Sequence, residues 1–211
     1  MWIPRLPQAL LWDHNAYYHR WLARSLPDRV GTVLDVGCGT GGLARLLACR
    51  ADRVDAVDRS AVMIEQARVA APANVRWLLG DILDGTLVLQ ARGYDVVTAV
   101  SSLHHMPLRP ALRRLASLVA PGGRLLVVGL YRQVTVGDRL IEAAALPANA
   151  AMGVALKARG MAGKQDGAMP VRAPGETFGQ IGAAAREITP GAVLRRKLFW
   201  RYVLSWRAPS S

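Results

Sequence analysis

The chain is poor in cysteine, lysine, acidic residues and long apolar runs, and each shortage closes off a class of protein. Its 211 residues hold two cysteines, Cys38 and Cys49. That is too few for a disulfide framework or a zinc site, and the reducing cytosol is the expected location. No apolar stretch reaches the length of a membrane-spanning helix, so no membrane partner is expected. The opening Met1-Trp2-Ile3-Pro4-Arg5-Leu6-Pro7 lacks the continuous apolar core and cleavage pattern of a secretory leader. No internal repeat is visible. Acids number 15 against 27 bases, and three lysines stand against 24 arginines, for a formal net charge of +12. Because the arginines accompany abundant alanine and glycine throughout, the charge reads first as a coding bias and only second as a surface for anions. The hydrophobic share, 52%, supports one good core and hence one domain over residues 1–211.

What is present is concentrated in residues 32–42, Thr-Val-Leu-Asp-Val-Gly-Cys-Gly-Thr-Gly-Gly. A β-branched run ends in Gly37, Gly39, Gly41 and Gly42, and a helix-like segment, Leu43 to Cys49, follows. Strand, glycine turn and helix in that order open a nucleotide-binding α/β unit. The glycines fit two spacings. Gly37, Gly39 and Gly42 satisfy the G-x-G-x-x-G of a dinucleotide site, whereas Asp35 with Gly37, Gly39 and Gly41 satisfies D-x-G-x-G-x-G. A pyrophosphate wants bare N–H groups and no carboxylate nearby. Asp35 repels phosphate and suits the ammonium of a methionine-derived cofactor, which favours S-adenosylmethionine over NAD.

Independent signals follow at regular intervals. Arg53 to Asp58 reads as a second strand ending in an acid about twenty residues past the first glycine, the place where a carboxylate holds ribose hydroxyls. Ser60 is the better N-cap for a helix over Ala61 to Ala70, and Met63, one turn into it, is either an adenine contact or a core residue. Val75 to Gly80 is a third strand running into Asp81 and Ile82, an acceptor for the adenine amino group and an apolar cover for its ring. Tyr94 to Val100 and Gly123 to Gly129 are fourth and fifth strands. Between them a helix carrying Leu112, Leu115 and Leu118 stops at Pro121-Gly122-Gly123. Strands and helices alternating at this pitch predict a doubly wound, mostly parallel α/β sheet.

Leu34-Asp-Val-Gly-Cys-Gly-Thr-Gly41, Val57-Asp-Arg-Ser60, Gly80-Asp-Ile82, Asp95 to Met106 and Pro121-Gly-Gly-Arg-Leu125 resemble the successive motifs of class I S-adenosylmethionine-dependent methyltransferases. The likeness is to the small "type 11" branch that includes the quinone-biosynthesis C-methylases. It spans roughly residues 30–130 with order and spacing kept. The resemblance implies a seven-stranded Rossmann-like sheet closed by an antiparallel C-terminal hairpin. It implies a cofactor over the carboxyl ends of strands one to four, with Asp35 and the Gly37–Gly41 turn at the methionine portion, Asp58 at the ribose, and Asp81 with Ile82 at the adenine. The segment Ser101 to His105 would pass beside the sulfonium.

The remaining segments divide into a cap helix (1–29), the cofactor-binding core (30–131), a helical lid (132–188) and a terminal hairpin (189–211). Leu11 to Trp21 reads as a helix entered near Asp13, and Tyr17 or Tyr18 either caps the cofactor or packs on the sheet. In Ser102-Leu-His-His-Met106 a histidine beside the transferred methyl would deprotonate a hydroxyl, with His105 favoured over His104 by family position. Asp138 to Leu146 and Ala151 to Ala158 read as short helices, Gly160 to Pro174 as a connection, and Thr177 to Glu187 as a helix. Met152, Val154, Leu156, Met161 and Met169 suit a largely apolar small-molecule acceptor or ordinary helix packing. The acid-free cluster Arg195, Arg196, Lys197, Arg201 and Arg207 alternates with apolar residues, which favours a hairpin with charged outer positions over a nucleic-acid site.

The expected chemistry is methyl transfer by in-line displacement, for which the protein supplies alignment and exclusion of water. No paired carboxylates suggest a catalytic metal. Neither an Asn/Asp-Pro-Pro-Tyr after strand four nor a Pro-Cys motif is present, against amino-group and cytosine C5 methylation of bases. Two alternatives stay open: a protein that binds the cofactor, or a cyclase, without giving up the methyl, and an RNA methyltransferase guided by the basic cluster.

Overall fold

The computed structural model describes residues 14–69, 71–135, 137, 138, 151, 154, 172–197 and 201–210. The chain opens with helix α1 (His14–Ser25) and then alternates: β1 (Val30–Val36), α2 (Gly42–Ala48), β2 (Ala51–Asp58), α3 (Ala61–Arg68), β3 (Val75–Leu79), β4 (Tyr94–Val100), α4 (Leu108–Leu118) and β5 (Val119–Leu130). A 3₁₀ turn, Leu103–His105, separates β4 from α4. Helix α5 (Phe178–Ile188) leads to β6 (Val193–Lys197) and β7 (Arg201–Arg207).

The seven strands lie in the order β3-β2-β1-β4-β5-β7-β6. β1 to β5 are parallel, and β7 runs antiparallel to both β5 and β6. This is the doubly wound sheet with a closing hairpin that the sequence predicts. The strands are β-branched and apolar because both faces are covered. One face packs Tyr18 and Leu22 of α1, Leu43 and Leu47 of α2 and Ile64 of α3 against Val33, Val54 and Val96. The other packs Leu112, Leu115 and Leu118 of α4 and Ile181 and Ala184 of α5 against Leu34, Val97 and Val127.

Local chemistry sets most boundaries. Ser60 caps α3, its hydroxyl accepting from the Met63 N–H at 3.4 Å, and Thr177 with Gln180 forms a capping box at the start of α5. Two boundaries differ from expectation. α3 ends at Arg68 because Val69 turns extended. α4 ends at Leu118, before the Pro-Gly-Gly stop, because Val119 already pairs with Tyr94. The register shift between Tyr94 and Val96 then absorbs Pro121-Gly122-Gly123 inside one long strand. Of the expected helices over 138–146 and 151–158 and the connection over 160–174, only Asp138, Ala151, Val154 and residues 172–174 are among the described residues; Met152, Leu156, Met161 and Met169 lie outside them. Val154 is exposed.

One buried polar link crosses the first half of the sheet. Asp55 on β2 is fully buried, takes both arms of Arg76 from β3 at 2.7 and 3.0 Å, and accepts the Tyr94 hydroxyl from β4 at 2.6 Å. The Arg76 and Tyr94 hydrogen bonds hold its carboxyl below the usual carboxylate range against the opposing effect of burial.

Candidate active site

A cavity of about 290 Å³ opens outside the carboxyl ends of β1 to β5. Its wall is built in strand order: Val36 to Thr40 after β1, Val57 to Ser60 at the end of β2, Gly80 to Ile82 after β3, Val100 to Ser102 after β4, and Leu130 ending β5. Ligands of open parallel sheets bind at this edge, where the βα loops diverge.

The glycine turn is shaped from both sides. Gly37 takes φ +74°, and a Cβ there would lie 2.3 Å from the Ser102 Cβ. Gly41 takes φ +83°, and a Cβ there would meet the Trp77 ring at 2.5 Å. Behind the turn Arg45 lies over Trp77 and donates to the carbonyls of Thr40, Ala67 and Val69, tying the loop to the end of α3. The turn's cavity side is fixed by Asp58. Its carboxylate accepts the Gly39 and Ser60 N–H groups, each at 2.9 Å, which joins the β1 loop to the β2 loop. Asp81 accepts the Leu83 N–H at 2.9 Å, and Ile82 beside it is buried.

The fourth side is the loop after β4. Ser102 Oγ donates to the Val36 carbonyl at 2.7 Å, drawing the ends of β1 and β4 together. Ser101 sits at φ +54°, an uncommon backbone for a residue with a Cβ, and its hydroxyl donates to Asn15 Oδ1 at 2.8 Å. Arg201, the first residue of β7, donates to Ser101 Oγ and, at 3.0 Å, to Asn15 Oδ1. Three segments remote in sequence, α1, the β4 loop and β7, therefore meet at one knot on the cavity wall.

Beyond Ser102 the rings of His104 and His105 lie 4.2 Å apart. Burial pushes the His104 imidazole down to about 4, helped by His105, Arg201 and Arg172. Burial also lowers His105, with Arg59 and Arg172 adding to it and Asp58 opposing. Both imidazoles are neutral at physiological pH. Burial pushes the Cys38 thiol up, so Cys38 is no nucleophile.

Of the residues expected from sequence, Gly37, Gly39, Asp58, Met63, Asp81, Ile82, Ser101, His104 and His105 line one cavity. Three do not. Tyr18 is buried with the α1 core residues, its ring edge-on to Trp21, and neither it nor the exposed Tyr17 is among the residues lining the cavity. The α1 residues that reach the wall are Asn15 and His19, on a neighbouring part of the helix surface. Gly41 faces Trp77 rather than the cavity. Asp35 stands behind the wall: it is 2% exposed, its Oδ1 accepts the Thr98 hydroxyl at 2.8 Å, and its Oδ2 has no hydrogen-bond partner among the described residues. Burial pushes its carboxyl up to about 7; the Thr98 bond works against this and Asp58 adds to it.

Arg201 was expected on the charged outside of the hairpin. The structure corrects this, because it is 8% exposed and lines the cavity. The available signal was register: Arg201 pairs with Leu130, at the carboxyl end of β5, which is the ligand edge. Asn15, Thr40, Arg59, Met106 and Arg172 also line the cavity without having been singled out.

These residues fit S-adenosylmethionine. An unsatisfied buried carboxylate oxygen behind the turn favours a cationic ammonium in front of it. Asp58 keeps lone pairs for ribose hydroxyls. Ile82 and Met63 offer apolar contact beside Asp81 for an adenine. Among the described residues no group of acids, histidines and cysteines has the arrangement of a metal site.

Comparison with known proteins gives the same reading. A methyltransferase domain family matches residues 33–123. An uncharacterized methyltransferase of Mycobacterium bovis is 37% identical over 201 residues, covering 94% of this chain and 98% of the relative. A ubiquinone biosynthesis O-methyltransferase of Xylella fastidiosa is 32% identical over 135 residues, 62% of this chain and 54% of its own length. The fold matches the crystal structure of an S-adenosylmethionine-dependent methyltransferase from Mesorhizobium loti with TM-score 0.60 at 18% identity, over 90% of this chain and 97% of that one. Near-complete overlap with the M. bovis relative extends the kinship past the glycine turn and the nucleotide edge to the hairpin, and the chain belongs to the class I S-adenosylmethionine-dependent methyltransferases of the type 11 kind.

Proposed function

We propose that this methyltransferase acts on a small-molecule acceptor by in-line displacement, within the cavity bounded by the glycine turn, the His104–His105 turn and Arg201. The observation that carries this reading is the knot of Asn15, Ser101 and Arg201. It pins α1 against the β4 loop along one side of a cavity of about 290 Å³, a size suited to a small acceptor. Bound S-adenosylmethionine supplies a methyl electrophile on a sulfonium and a neutral thioether leaving group.

The chain's own share is positioning. Asp58, held by the Gly39 and Ser60 N–H groups, presents fixed lone pairs to ribose hydroxyls. Asp81 accepts from the adenine amino group while Ile82 covers the ring. Asp35 compensates the ammonium through the turn at its back. Ser101 and Ser102 hold the β4 loop so that an acceptor entering past His105 lies in line with the reacting bond. Met106 and Leu130 exclude water around an apolar body. His105 accepts a proton from a hydroxyl acceptor; His104, pushed down to about 4, is the weaker base.

The test is to incubate the purified chain with methyl-labelled S-adenosylmethionine and, separately, a low-mass extract or total RNA. Label is expected in low-mass product. Label in RNA overturns the acceptor class. Bound cofactor that never yields S-adenosylhomocysteine with either fraction overturns methyl transfer itself.

A further inference from the structure

Charge is distributed unevenly around the cavity, and this bears on the acceptor; the inference rests on the methyl-transfer reading above. The two acids of the wall, Asp58 and Asp81, stand at the ends of β2 and β3, on the side assigned to the nucleoside. Three arginines, Arg59, Arg172 and Arg201, lie within electrostatic reach of the His104–His105 turn. Arg172 reaches over the turn, its Nη1 donating to the His105 carbonyl at 3.5 Å, and makes no ion pair among the described residues. The charges of Arg172 and Arg201 bear on His104, and those of Arg59 and Arg172 on His105. Both terminal nitrogens of Arg201 donate to Ser101 and Asn15, which fixes the plane of its positive charge on the cavity wall.

We propose that the acceptor is an organic acid that enters as an anion, its oxyanion group seated between Arg172 and Arg201 beside the His104–His105 turn. A carboxylate and a phosphate share the required chemistry, two or three coplanar or tetrahedral acceptor oxygens for guanidinium donors. The neutral imidazoles add hydrogen-bonding capacity there without adding charge. Met106 and Leu130 receive the apolar body of the same molecule. Such a site selects against neutral isosteres, because an amide brings no negative charge to the two guanidinium groups, whose existing bonds to Ser101, Asn15 and the His105 carbonyl are all to neutral acceptors.

Calorimetry on the full chain saturated with S-adenosylhomocysteine tests this with benzoate and phenyl phosphate against benzamide. At least one acid is expected to bind about tenfold or more tightly than the amide; which acid wins identifies the group. Arg172→Gln is expected to erase that preference, Arg172→Lys to keep part of it, and neither to change S-adenosylhomocysteine affinity. Arg172 lies at the exposed rim, so its loss does not threaten the fold; Arg201→Gln is the second variant. Benzamide binding as well as both acids, neither acid binding in the millimolar range, or a preference that survives both variants overturns the proposal. Tight single-stranded RNA binding lost with Arg172→Gln overturns it in favour of a polymeric anion. Failure to bind S-adenosylhomocysteine at all overturns the methyl-transfer reading instead.

Discussion

Asp35→Asn isolates the electrostatic element on which cofactor selection turns. In the folded, ligand-free protein the Asp35 carboxyl is pushed from an ordinary 3.8 up to about 7, chiefly by burial. The folded state therefore holds its proton more tightly than the unfolded chain does. Where the native state binds more protons, stability falls as pH rises. The fall begins near pH 4 and is complete near pH 7, and a shift of about three units amounts to about 4 kcal/mol. For a chain of this size that is about 10 °C in melting temperature. His104 works in the opposite direction over an overlapping range: its imidazole is pushed down to about 4, so the folded state gains stability as pH rises toward the ordinary histidine value. Wild type is thus expected to combine two opposed slopes, and Asp35→Asn to keep the rising one and lose the falling one. Melting temperatures of both proteins from pH 4 to 8 are expected to diverge steadily, with the variant ahead above pH 7. Bound S-adenosylhomocysteine is expected to close the gap, because its ammonium relieves the carboxylate; the ligand-induced shift of wild type is then larger at pH 8 than at pH 6. Parallel melting curves for wild type and variant would refute the reasoning.

Two further outcomes follow from packing. Gly37→Ala puts a Cβ 2.3 Å from that of Ser102 at φ +74°, and displaces the serine that ties β4 to β1. Denaturant unfolding is expected to show a loss of about 2–3 kcal/mol together with weaker S-adenosylhomocysteine binding; a loss under about 1 kcal/mol contradicts the close approach. Arg76→Met strands the fully buried Asp55 with only the Tyr94 hydroxyl and the longer contact to Arg53. Because Arg76 is itself half exposed, the expected loss sits near 2–3 kcal/mol, at the low end for breaking a buried pair. That loss is expected to shrink as pH falls, because without Arg76 the buried carboxyl takes up its proton more readily than in wild type, where the Arg76 bonds hold it down; a pH-independent difference speaks against the ion pair.

The fold was legible because its signals are local. The first three strands run into a glycine or an acid, Ser60 and Thr177 cap their helices, and the parallel topology follows from alternation. The nucleoside side of the site was legible for the same reason: Asp58, Asp81 and Ile82 fall at strand ends, and strand ends share one edge. Orientation was harder. Asp35 belongs to the right motif, yet its side chain pairs with Thr98 across β1 and β4, so it acts from behind the wall. Tyr18 and Asn15 lie on the same helix, and sequence alone offered the aromatic residue while the amide reaches the cavity. The contacts that close the acceptor side were hidden by distance along the chain. Arg201 and Asn15 are 186 residues apart, and only the antiparallel register of β7 on β5 brings the arginine to the ligand edge.

That register also accounts for the basic C-terminal cluster. Arg196 stacks on Phe178 with its guanidinium 3.9 Å from the ring centre and bonds Asp138 at 3.2 Å. Lys197 lies over Trp21 of α1, Arg201 joins the cavity knot, and Arg207 donates to the Gly122 carbonyl at 3.0 Å. Four of the five charges are thus engaged within the molecule, fastening the hairpin to α1, α5 and the β5 turn. A surface evolved to grip a phosphate backbone keeps its cations solvent-facing and interchangeable, so that each contributes similarly to a steep salt dependence. Here those four have distinct partners, and neutralising one removes packing or a directed hydrogen bond before it removes long-range attraction. The excess of arginine over lysine fits that use, since a planar donor fork serves stacking and carbonyl contacts better than a point charge. Of the five, Arg201 alone is among the residues that line the cavity.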